Sequence, residues 1–224
     1  MESRDHFDAI AADYDFWKKK NWYYYENLKK IFIVIIPEGS KVLEIGCGTG
    51  DILASLKPQQ GLGIDISYKM VELANLKYKS NKNLSFEARD ITKTNELLNY
   101  PYILMVDVLE HIENLQDFFR HLNKITLSAS KIIISVANPL WEPILSIAEK
   151  LKLKMPEGPH KRWRLSDLEN WFKNSGFSIV DTNYRLLIPK KIPAADFINA
   201  RFYKLSLLNR LGMIKYWILK KNIH

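Results

Sequence analysis

The chain has 224 residues, of which 47% are hydrophobic and 26% charged, so it suits one α/β domain with a real core and excludes a disordered chain. The net charge of +8 equals the excess held by residues 185–224, which contain nine Lys or Arg and one acid. The remaining chain is neutral and carries no general attraction for polyanions. Cys47 is the single cysteine, which excludes an internal disulfide and a cysteine-built metal cage and predicts a reducing, cytoplasmic compartment.

Two helices are predicted before the first strand, in residues 2–13 and 20–33. The second segment repeats aromatic and apolar side chains at a roughly helical period: Trp22, Tyr23, Tyr25, Leu28 and Phe32. Together the two helices predict a cap, residues 1–38, laid across the mouth of a sheet.

A strand pattern then becomes a glycine turn and continues as a helix. Gly46, Gly48 and Gly50 give G-x-G-x-G, whereas the dinucleotide fingerprint needs G-x-G-x-x-G. Asp51 stands where the third glycine would be, and its charge opposes a pyrophosphate. With Glu44 just before the turn, the pattern favours a ligand without phosphate, such as a positively charged adenosine.

Strand and helix patterns alternate along the rest of the chain. The predicted strands are 41–45, 61–65, 84–88, 102–106, 131–136, 177–180 and 213–219, and the predicted helices are 50–57, 67–79, 114–127, 140–154, 166–174 and 194–209. Ser67 is predicted to cap one helix, and Ser166 with Glu169 to form a capping box. Continuously apolar strands are typical of parallel sheets covered on both faces. The fold class is therefore α/β, with a doubly wound, mostly parallel, Rossmann-like sheet and an N-terminal helical cap.

Four acids lie at the carboxyl ends of predicted strands, where open α/β sheets bind ligands: Glu44, Asp65, Asp90 and Asp107. Asp65 follows Gly46 by 19 residues, near the spacing at which an acid holds ribose hydroxyls. A carboxylate accepts two hydrogen bonds from such a diol. Any one acid is also explained as a solvated strand end or a helix cap, but four beside a glycine turn indicate one ligand site.

The segment Glu44–Gly50 closely resembles the first motif of the class I S-adenosylmethionine-dependent methyltransferases. The resemblance implies S-adenosylmethionine as cofactor, S-adenosylhomocysteine as product, no metal, and an antiparallel seventh strand between the fifth and sixth. It implies one domain, 1–224, with a cofactor-binding core at 39–138 and an acceptor-side segment at 139–224. The implied cofactor-binding residues are Tyr14, Glu44, Gly46, Cys47, Gly48, Gly50, Asp65, Ile66, Met70, Asp90, Ile91, Asp107 and Val108.

Within this resemblance, Tyr14 belongs to an N-terminal arm that covers the cofactor, with plain packing as the alternative. Asp90 occupies the adenine-binding position, where a carboxylate accepts the exocyclic amine. Ile91 packs on one face of the ring, and Ile66 and Met70 pack on the other.

Residues 107–112, Asp-Val-Leu-Glu-His-Ile, resemble methyltransferases of the ubiquinone-biosynthesis type. His111 then points toward the acceptor pocket as a catalytic candidate, or fixes the following turn by bonding backbone. His160 opens a second family-like segment, and its ordinary pKa suits a general base. The alternative for His160 is an exposed loop histidine.

The function predicted from these motifs is methyl transfer to a small molecule at oxygen, with quinone or isoprenoid, lipid-linked and sugar-type acceptors all open. One alternative is an RNA or protein methyltransferase that uses the basic C-terminal region, although nucleic acid is not the expected partner. Another is a non-catalytic cofactor-binding subunit. The basic, aromatic C-terminal region is also a candidate for peripheral membrane contact, through Arg201, Phe202, Tyr203, Lys204 and Trp217. A monomer or a homodimer is expected.

Overall fold

The computed structural model describes residues 3–156, 161 and 163–222, and these form one seven-stranded sheet flanked by helices. The strands are β1 (Lys41–Ile45), β2 (Gln60–Asp65), β3 (Leu84–Ala88), β4 (Tyr102–Val106), β5 (Lys131–Ala137), β6 (Phe177–Arg185) and β7 (Ile214–Lys221). The helices are α1 (Ser3–Lys20), α2 (Trp22–Ile35), α3 (Asp51–Ser55), α4 (Tyr68–Lys77), α5 (Leu115–Ile125), α6 (Glu142–Lys150), α7 (Leu165–Asn174), α8 (Ala195–Asn199) and α9 (Ser206–Asn209). Short 3-10 turns cover Ile91–Lys93, Leu109–His111, Pro139–Trp141 and Phe202–Lys204.

The strand order is β3-β2-β1-β4-β5-β7-β6. Strands β1 to β5 pair in parallel, and β7 is antiparallel to both of its neighbours. The predicted fold class and the place of the last strand are therefore confirmed. The order reverses at β1, so the carboxyl ends of β1 and β4 flank the crevice where such sheets bind ligands.

The apolar strands fill a core on each face of the sheet, because successive side chains point to opposite sides. Leu43 packs on the face covered by α5 and α7, whereas Val42 packs on the face covered by α2, α3 and α4. The buried residues of α2, including Leu28 and Phe32, belong to that second core. Helix α2 is thus a layer of the domain, and α1 is the part of the predicted cap that crosses the mouth.

The predicted capping box at Ser166 is wrong. Helix α7 begins at Leu165 with Arg164 in the cap position and no side-chain cap hydrogen bond. Glu169 instead accepts the indole N–H of Trp217 at 2.8 Å. Trp217 is fully buried in β7, and a buried N–H without a partner is costly, so this carboxylate serves the core rather than the helix end.

The predicted long helix over residues 194–209 is also wrong, because the chain there forms α8, a 3-10 turn and α9. Asn199 is buried at the end of α8, where its side-chain amide donates to the carbonyl of Ile188 and accepts from the same residue's N–H, both at 2.9 Å. Leu205 is extended, which separates the last two turns. The sequence keeps its helical spacing of apolar residues here, but the hydrogen bonds between Asn199 and Ile188 accompany a chain that leaves the helix after α8.

The cap of α4 is as predicted, since the Ser67 hydroxyl accepts from the N–H of Met70 at 3.1 Å. Strand β6 extends five residues past its predicted end, with a bulge between Ile179 and Asp181. Among the described residues, no helix combines the length and apolar character needed to cross a bilayer. The same residues contain no group of three or more His, Cys, Asp or Glu side chains arranged to hold a metal ion.

Candidate functional site

A cavity of about 970 Å³ opens at the carboxyl ends of the strands and runs beneath α1. Its lining includes nearly all of the residues predicted for the cofactor, and also His111: Tyr14, Glu44, Gly46, Cys47, Gly48, Asp65, Ile66, Met70, Asp90, Ile91, Asp107, Val108 and His111. The predicted catalytic residue His160 lies outside the described residues. The sequence motifs thus converge on one cavity in the tertiary structure.

The glycine turn brings bare backbone to the cavity wall. Gly46 has φ +74°, and a Cβ there would lie 2.4 Å from a methyl carbon of Val108. A Cβ on Gly48 would lie 3.0 Å from the ring of Tyr14. Both positions therefore require glycine, and the turn brings backbone without a Cβ to the cavity wall, where a ligand can approach it closely.

Gly50 does not line the cavity, unlike the other two glycines of the motif. It caps α3 in a left-handed conformation with φ +82°, and a Cβ there would lie 2.6 Å from the ring of Phe86. Its role in the structure is to let the chain turn from the loop into α3 against this ring.

Asp65, at the end of β2, is held by backbone donors. One carboxylate oxygen accepts from the N–H of Gly48 at 2.8 Å, and the other accepts from the N–H of Ser67 at 2.9 Å. Burial raises the pKa of Asp65, although these hydrogen bonds oppose the rise. Each carboxylate oxygen has a second acceptor site, so the fixed side chain retains the capacity to accept hydroxyl groups of a diol.

Asp90 caps the 3-10 turn that follows it, as the helix-cap alternative proposed. Its Oδ1 accepts from the N–H of Thr92 at 3.0 Å and from the Thr92 hydroxyl at 2.6 Å, and Lys93 Nζ lies 3.3 Å from Oδ2. Burial alone would raise the pKa of Asp90, but these partners outweigh it and hold the pKa below its ordinary value. Apolar Met70 and Ile91 lie in the same cavity wall, which fits a flat aromatic ring beside a charged edge.

Glu44 is buried and ties β1 to α3. Its Oε2 accepts from the N–H of Leu53 at 3.0 Å. Burial raises the pKa of Glu44 to about 8, although the positive charge of Lys18 and the Leu53 N–H oppose the rise. The carboxyl group is therefore mostly protonated at neutral pH, which reduces the cost of its burial.

Lys18 of α1 is a cavity residue that the sequence patterns did not indicate. Its Nζ lies 3.0 Å from a carboxylate oxygen of Asp51 and near the rings of Tyr14 and Tyr25, at 5.1 and 5.3 Å from their centroids. Lys77 Nζ lies 2.7 Å from the other Asp51 oxygen. Burial would raise the pKa of Asp51, but the two lysines outweigh it and hold that pKa well below the usual range.

The charge of Asp51 is thus compensated inside the protein. The expectation that this carboxylate opposes a pyrophosphate is therefore wrong as an electrostatic argument, because Lys18 and Lys77 neutralise it. The argument from glycine spacing is independent of this charge and still separates the turn from the dinucleotide fingerprint.

Helix α1 is fastened over the loops by polar contacts along its length. Arg4 Nε donates to the carbonyl of Ile66 at 3.3 Å, the Ser67 hydroxyl donates to Asp8 at 2.5 Å, and the Thr49 hydroxyl donates to Asp15 at 2.6 Å. The last two contacts join the helix to the segments that follow β2 and β1, respectively. The predicted cap therefore closes one side of the cavity.

Asp107 follows β4 in a left-handed conformation with φ +50°. Its Oδ2 accepts from the hydroxyl of Tyr24 at 2.7 Å, and its Oδ1 accepts from the hydroxyl of Ser135 at 3.4 Å. Burial, followed by the charge of Asp107, raises the pKa of Tyr24 well above its usual value. Tyr24 therefore remains a hydrogen-bond donor at neutral pH and fixes the acid at the centre of the cavity.

His111 lies in the 3-10 turn after β4, beside the first turns of α1. Its ring meets Phe7 edge-on, with centroids 4.9 Å apart, and its backbone carbonyl accepts from Ser3 at 3.3 Å. The ring also lines the cavity, so the geometry is compatible with both predicted roles, a catalytic one and a structural one.

Beyond Asp107 the cavity wall becomes apolar where α6 and the following loop approach. Its lining there includes Trp141, Ile144, Leu145, Ala148, Leu153, Met155 and Pro156, with Lys154 as a basic residue among them. The predicted acceptor-side segment thus supplies a hydrophobic compartment that is continuous with the charged one.

The C-terminal region does not form a single basic, aromatic surface. Phe202 and Trp217 are buried, so the predicted membrane contact through these two aromatic residues is wrong. Lys215 is also buried, and its pKa is lowered by desolvation. In the β5–β7 register, Lys220 lies opposite Lys131, the first residue of β5. This is the end of the sheet that is remote from the cavity.

Comparisons with known proteins agree with this geometry. The methyltransferase-domain family model matches residues 16–182. The ubiquinone biosynthesis O-methyltransferase of Dictyostelium discoideum is 25% identical over 180 residues, with 70% of this chain and 56% of that protein covered. The enzyme of the same name from Coxiella burnetii (strain RSA 331 / Henzerling II) is 25% identical over 164 residues, with 69% and 70% covered.

Among solved structures, the magnesium protoporphyrin IX methyltransferase from Synechocystis PCC 6803 with bound S-adenosylhomocysteine is 19% identical, with a TM-score of 0.68 and 98% of each chain covered. That likeness shows the fold. The family match spans most of the chain and includes the glycine turn and the four strand-end acids. The chain therefore belongs to the class I S-adenosylmethionine-dependent methyltransferases, with S-adenosylmethionine as its cofactor.

Proposed function

We propose that the protein transfers a methyl group to an oxygen atom of a small acceptor, and the apolar compartment favours a quinone or isoprenoid or a lipid-linked molecule over a sugar-type one. The observation that carries the proposal is the continuity of the cavity from its charged part at Asp65 to its apolar part at α6. Its volume of about 970 Å³ is at the upper end of the range for small-molecule sites, roughly 300–1,000 Å³. The enclosed space therefore suits a cofactor and a small acceptor together.

The residues at the charged end would bind and orient the cofactor. Asp65 would accept the ribose hydroxyls, and Asp90 with Ile91 and Met70 would hold the adenine. S-adenosylmethionine supplies a methyl group on a positively charged sulfonium that leaves as a neutral thioether. The chain's main task is then to align the acceptor oxygen with this group, because in-line displacement depends on orientation.

Tyr24 and Asp107 would form the wall at the reacting end. The raised pKa of Tyr24 means that this residue donates a hydrogen bond and does not act as a base. The carboxylate of Asp107 faces the same cavity and would favour a cationic group nearby. A proton leaving the acceptor hydroxyl would pass to His111 or to His160.

Cofactor binding tests the charged end directly. Calorimetric titration with S-adenosylmethionine should show binding that is lost in Asp65→Ala. The matched control is Glu72→Ala, which removes an exposed acid from α4 and should bind normally. An intact protein that does not bind the cofactor contradicts the proposal.

The acceptor is tested by incubating the enzyme and methyl-labelled cofactor with an extract of the source cell, followed by mass spectrometry. Label is expected in a small molecule as a methyl ether or ester. Label recovered in RNA or in protein side chains would instead support the alternative with a macromolecular acceptor.

The two histidines are tested by substitution. His111→Gln or His160→Ala should reduce turnover far more than cofactor affinity and should remove the acid limb of the pH–rate profile. If turnover is unchanged in both variants, neither histidine is the base.

A further inference from the structure

Helix α6 presents an unpartnered apolar stripe to solvent. Leu140 of the preceding 3-10 turn, Ile144 and Ile147 of α6, and Leu151 directly after the helix are 63%, 56%, 59% and 64% exposed, in that order. Their spacing of four, three and four residues places them on one side of a helix. Contiguous exposed apolar surface of this kind marks an interaction site more often than scattered single residues do.

Acidic and basic side chains lie on different sides of this stripe. Glu142 and Glu149, the acids of α6, lie on roughly the opposite side of the helix, at about 100° per residue. Lys150 and Lys152 are exposed at its C-terminal end. Lys20, the last residue of α1, donates to the carbonyl of Lys152 at 2.6 Å, so the basic end of α1 joins the same rim.

Two further exposed leucines lie in the segment that contacts the beginning of α6. The indole N–H of Trp141 donates to the carbonyl of Leu211 at 2.8 Å, which fixes the C-terminal region beside α6. Leu208 and Leu211 are 41% and 45% exposed there, with exposed Arg210 between them. We call the stripe of α6, these two leucines and the surrounding basic residues the α6 face.

We propose that the α6 face docks on the surface of an anionic lipid bilayer. An apolar stripe with a basic rim is the pattern by which interfacial helices bind such membranes, since apolar side chains enter the boundary region and lysines meet the headgroups. A symmetric second copy fits less well, because a twofold contact would bring the same basic rim against itself. The charge pattern therefore favours lipid over a second chain.

This docking gives the cavity an entrance from the membrane, a step that rests on the proposed function. Ile144 belongs both to the exposed stripe and to the cavity lining, and Ala148 and Leu153 line the cavity next to it. An acceptor with a hydrocarbon tail would reach the apolar compartment without crossing water. The inference thus names the acceptor class as a molecule that partitions into the bilayer.

The test is sedimentation of the full chain with vesicles of phosphatidylcholine alone and of phosphatidylcholine with phosphatidylglycerol. Binding is expected for the anionic vesicles and should weaken with salt. The double variant Ile147→Asp, Leu151→Asp should reduce the partition coefficient about tenfold or more, because it removes apolar contact and adds repulsion. Neither residue lines the cavity.

The matched control is Leu76→Asp, which changes an equally exposed leucine (64%) on α4 and should bind vesicles like the unchanged protein. Cofactor affinity of the double variant, measured without vesicles, should be unchanged, which shows that it is folded. The proposal is overturned if the protein does not bind anionic vesicles at low salt, or if the double variant binds equally. It is also overturned if light scattering reveals a dimer that only the double variant disrupts, since the face would then belong to a second copy.

The result is separable from the test of catalysis. Vesicle binding without cofactor binding would contradict the proposed function and leave membrane docking supported. Cofactor binding and turnover without vesicle binding would support the proposed function and contradict membrane docking.

Discussion

Tyr24 donates a hydrogen bond to Asp107 over 2.7 Å, across 83 residues of sequence. Tyr24 lies on α2, which packs on one face of the sheet. Asp107 directly follows β4 and has a left-handed backbone conformation. This contact joins the N-terminal helices to the strand end at the middle of the cavity. It places Tyr24, from the aromatic run of α2, at the cavity wall.

Substitution of Tyr24 by Phe is expected to weaken cofactor binding. The change keeps the ring but removes a hydrogen bond to a charged group, which is worth about 1.5–3 kcal/mol of folding stability. Asp107 is then no longer held in place at the cavity wall, so the dissociation constant of the cofactor should rise, by up to roughly 10-fold. Calorimetry measures the effect. Tyr68→Phe on α4 removes an exposed hydroxyl as a control, and equal affinities for the two variants would contradict the role of Tyr24.

Alanine substitutions at Gly46 and Gly39 distinguish the cost of backbone strain from the cost of a steric clash, because the two glycines have nearly the same φ. Gly46 (φ +74°) has Val108 2.4 Å from the position of a Cβ, whereas Gly39 (φ +78°) has nothing within 4 Å. Alanine at either position should cost about 1–2 kcal/mol in backbone strain. Gly46→Ala should lose about 1–3 kcal/mol more through overpacking and should also lose cofactor affinity. Denaturant unfolding measures both variants, and equal losses would show that Val108 yields without cost.

Glu44 should make stability depend on pH. Its pKa is raised from 4.5 to about 8 in the folded state, so the folded protein binds the extra proton between these values. The contribution is fully present below about pH 4.5 and is lost as the pH rises through about 8, so the melting temperature should fall over that window. In Glu44→Gln the fall should be smaller, because the side-chain amide does not titrate, while its oxygen can still accept from the N–H of Leu53. An unaltered slope in that variant would assign the pH dependence to other groups.

Lys18 should contribute more to stability than an exposed lysine in an ion pair. Lys18→Met leaves Asp51 with Lys77 as its remaining lysine and removes one of the contacts that hold α1 to the loop after β1, at an expected cost of about 1–3 kcal/mol. The control is Lys57→Met, which removes an exposed pair with Glu38 at 3.6 Å and should change the free energy of unfolding by less than about 1 kcal/mol. Hydrogen exchange should also quicken along α1 in the first variant, and similar exchange in both would mean that Lys18 is not a tether.

Much of the site could be predicted because its residues carry local signals. Gly46 and Gly48 are recognisable from their spacing, and Asp65 and Asp107 from their position after apolar strands. Lys18 and Tyr24 had no such signal, because their partners Asp51 and Asp107 lie 33 and 83 residues away. A lysine in a run of lysines and a tyrosine in a run of tyrosines are distinguished only by what they meet.

The sequence by itself determined the fold class and the class of cofactor. Apolar runs of strand length must be covered on both faces, and the glycine turn admits the close approach of a ligand. The tertiary structure decided which of several possible partners each polar or apolar side chain contacts. Glu169 bonds buried Trp217 instead of capping α7, Asn199 ties α8 to Ile188, and the apolar side chains of α6 divide between a cavity and an exposed face. Those outcomes depend on distances between segments far apart in the chain, which local periodicity does not encode.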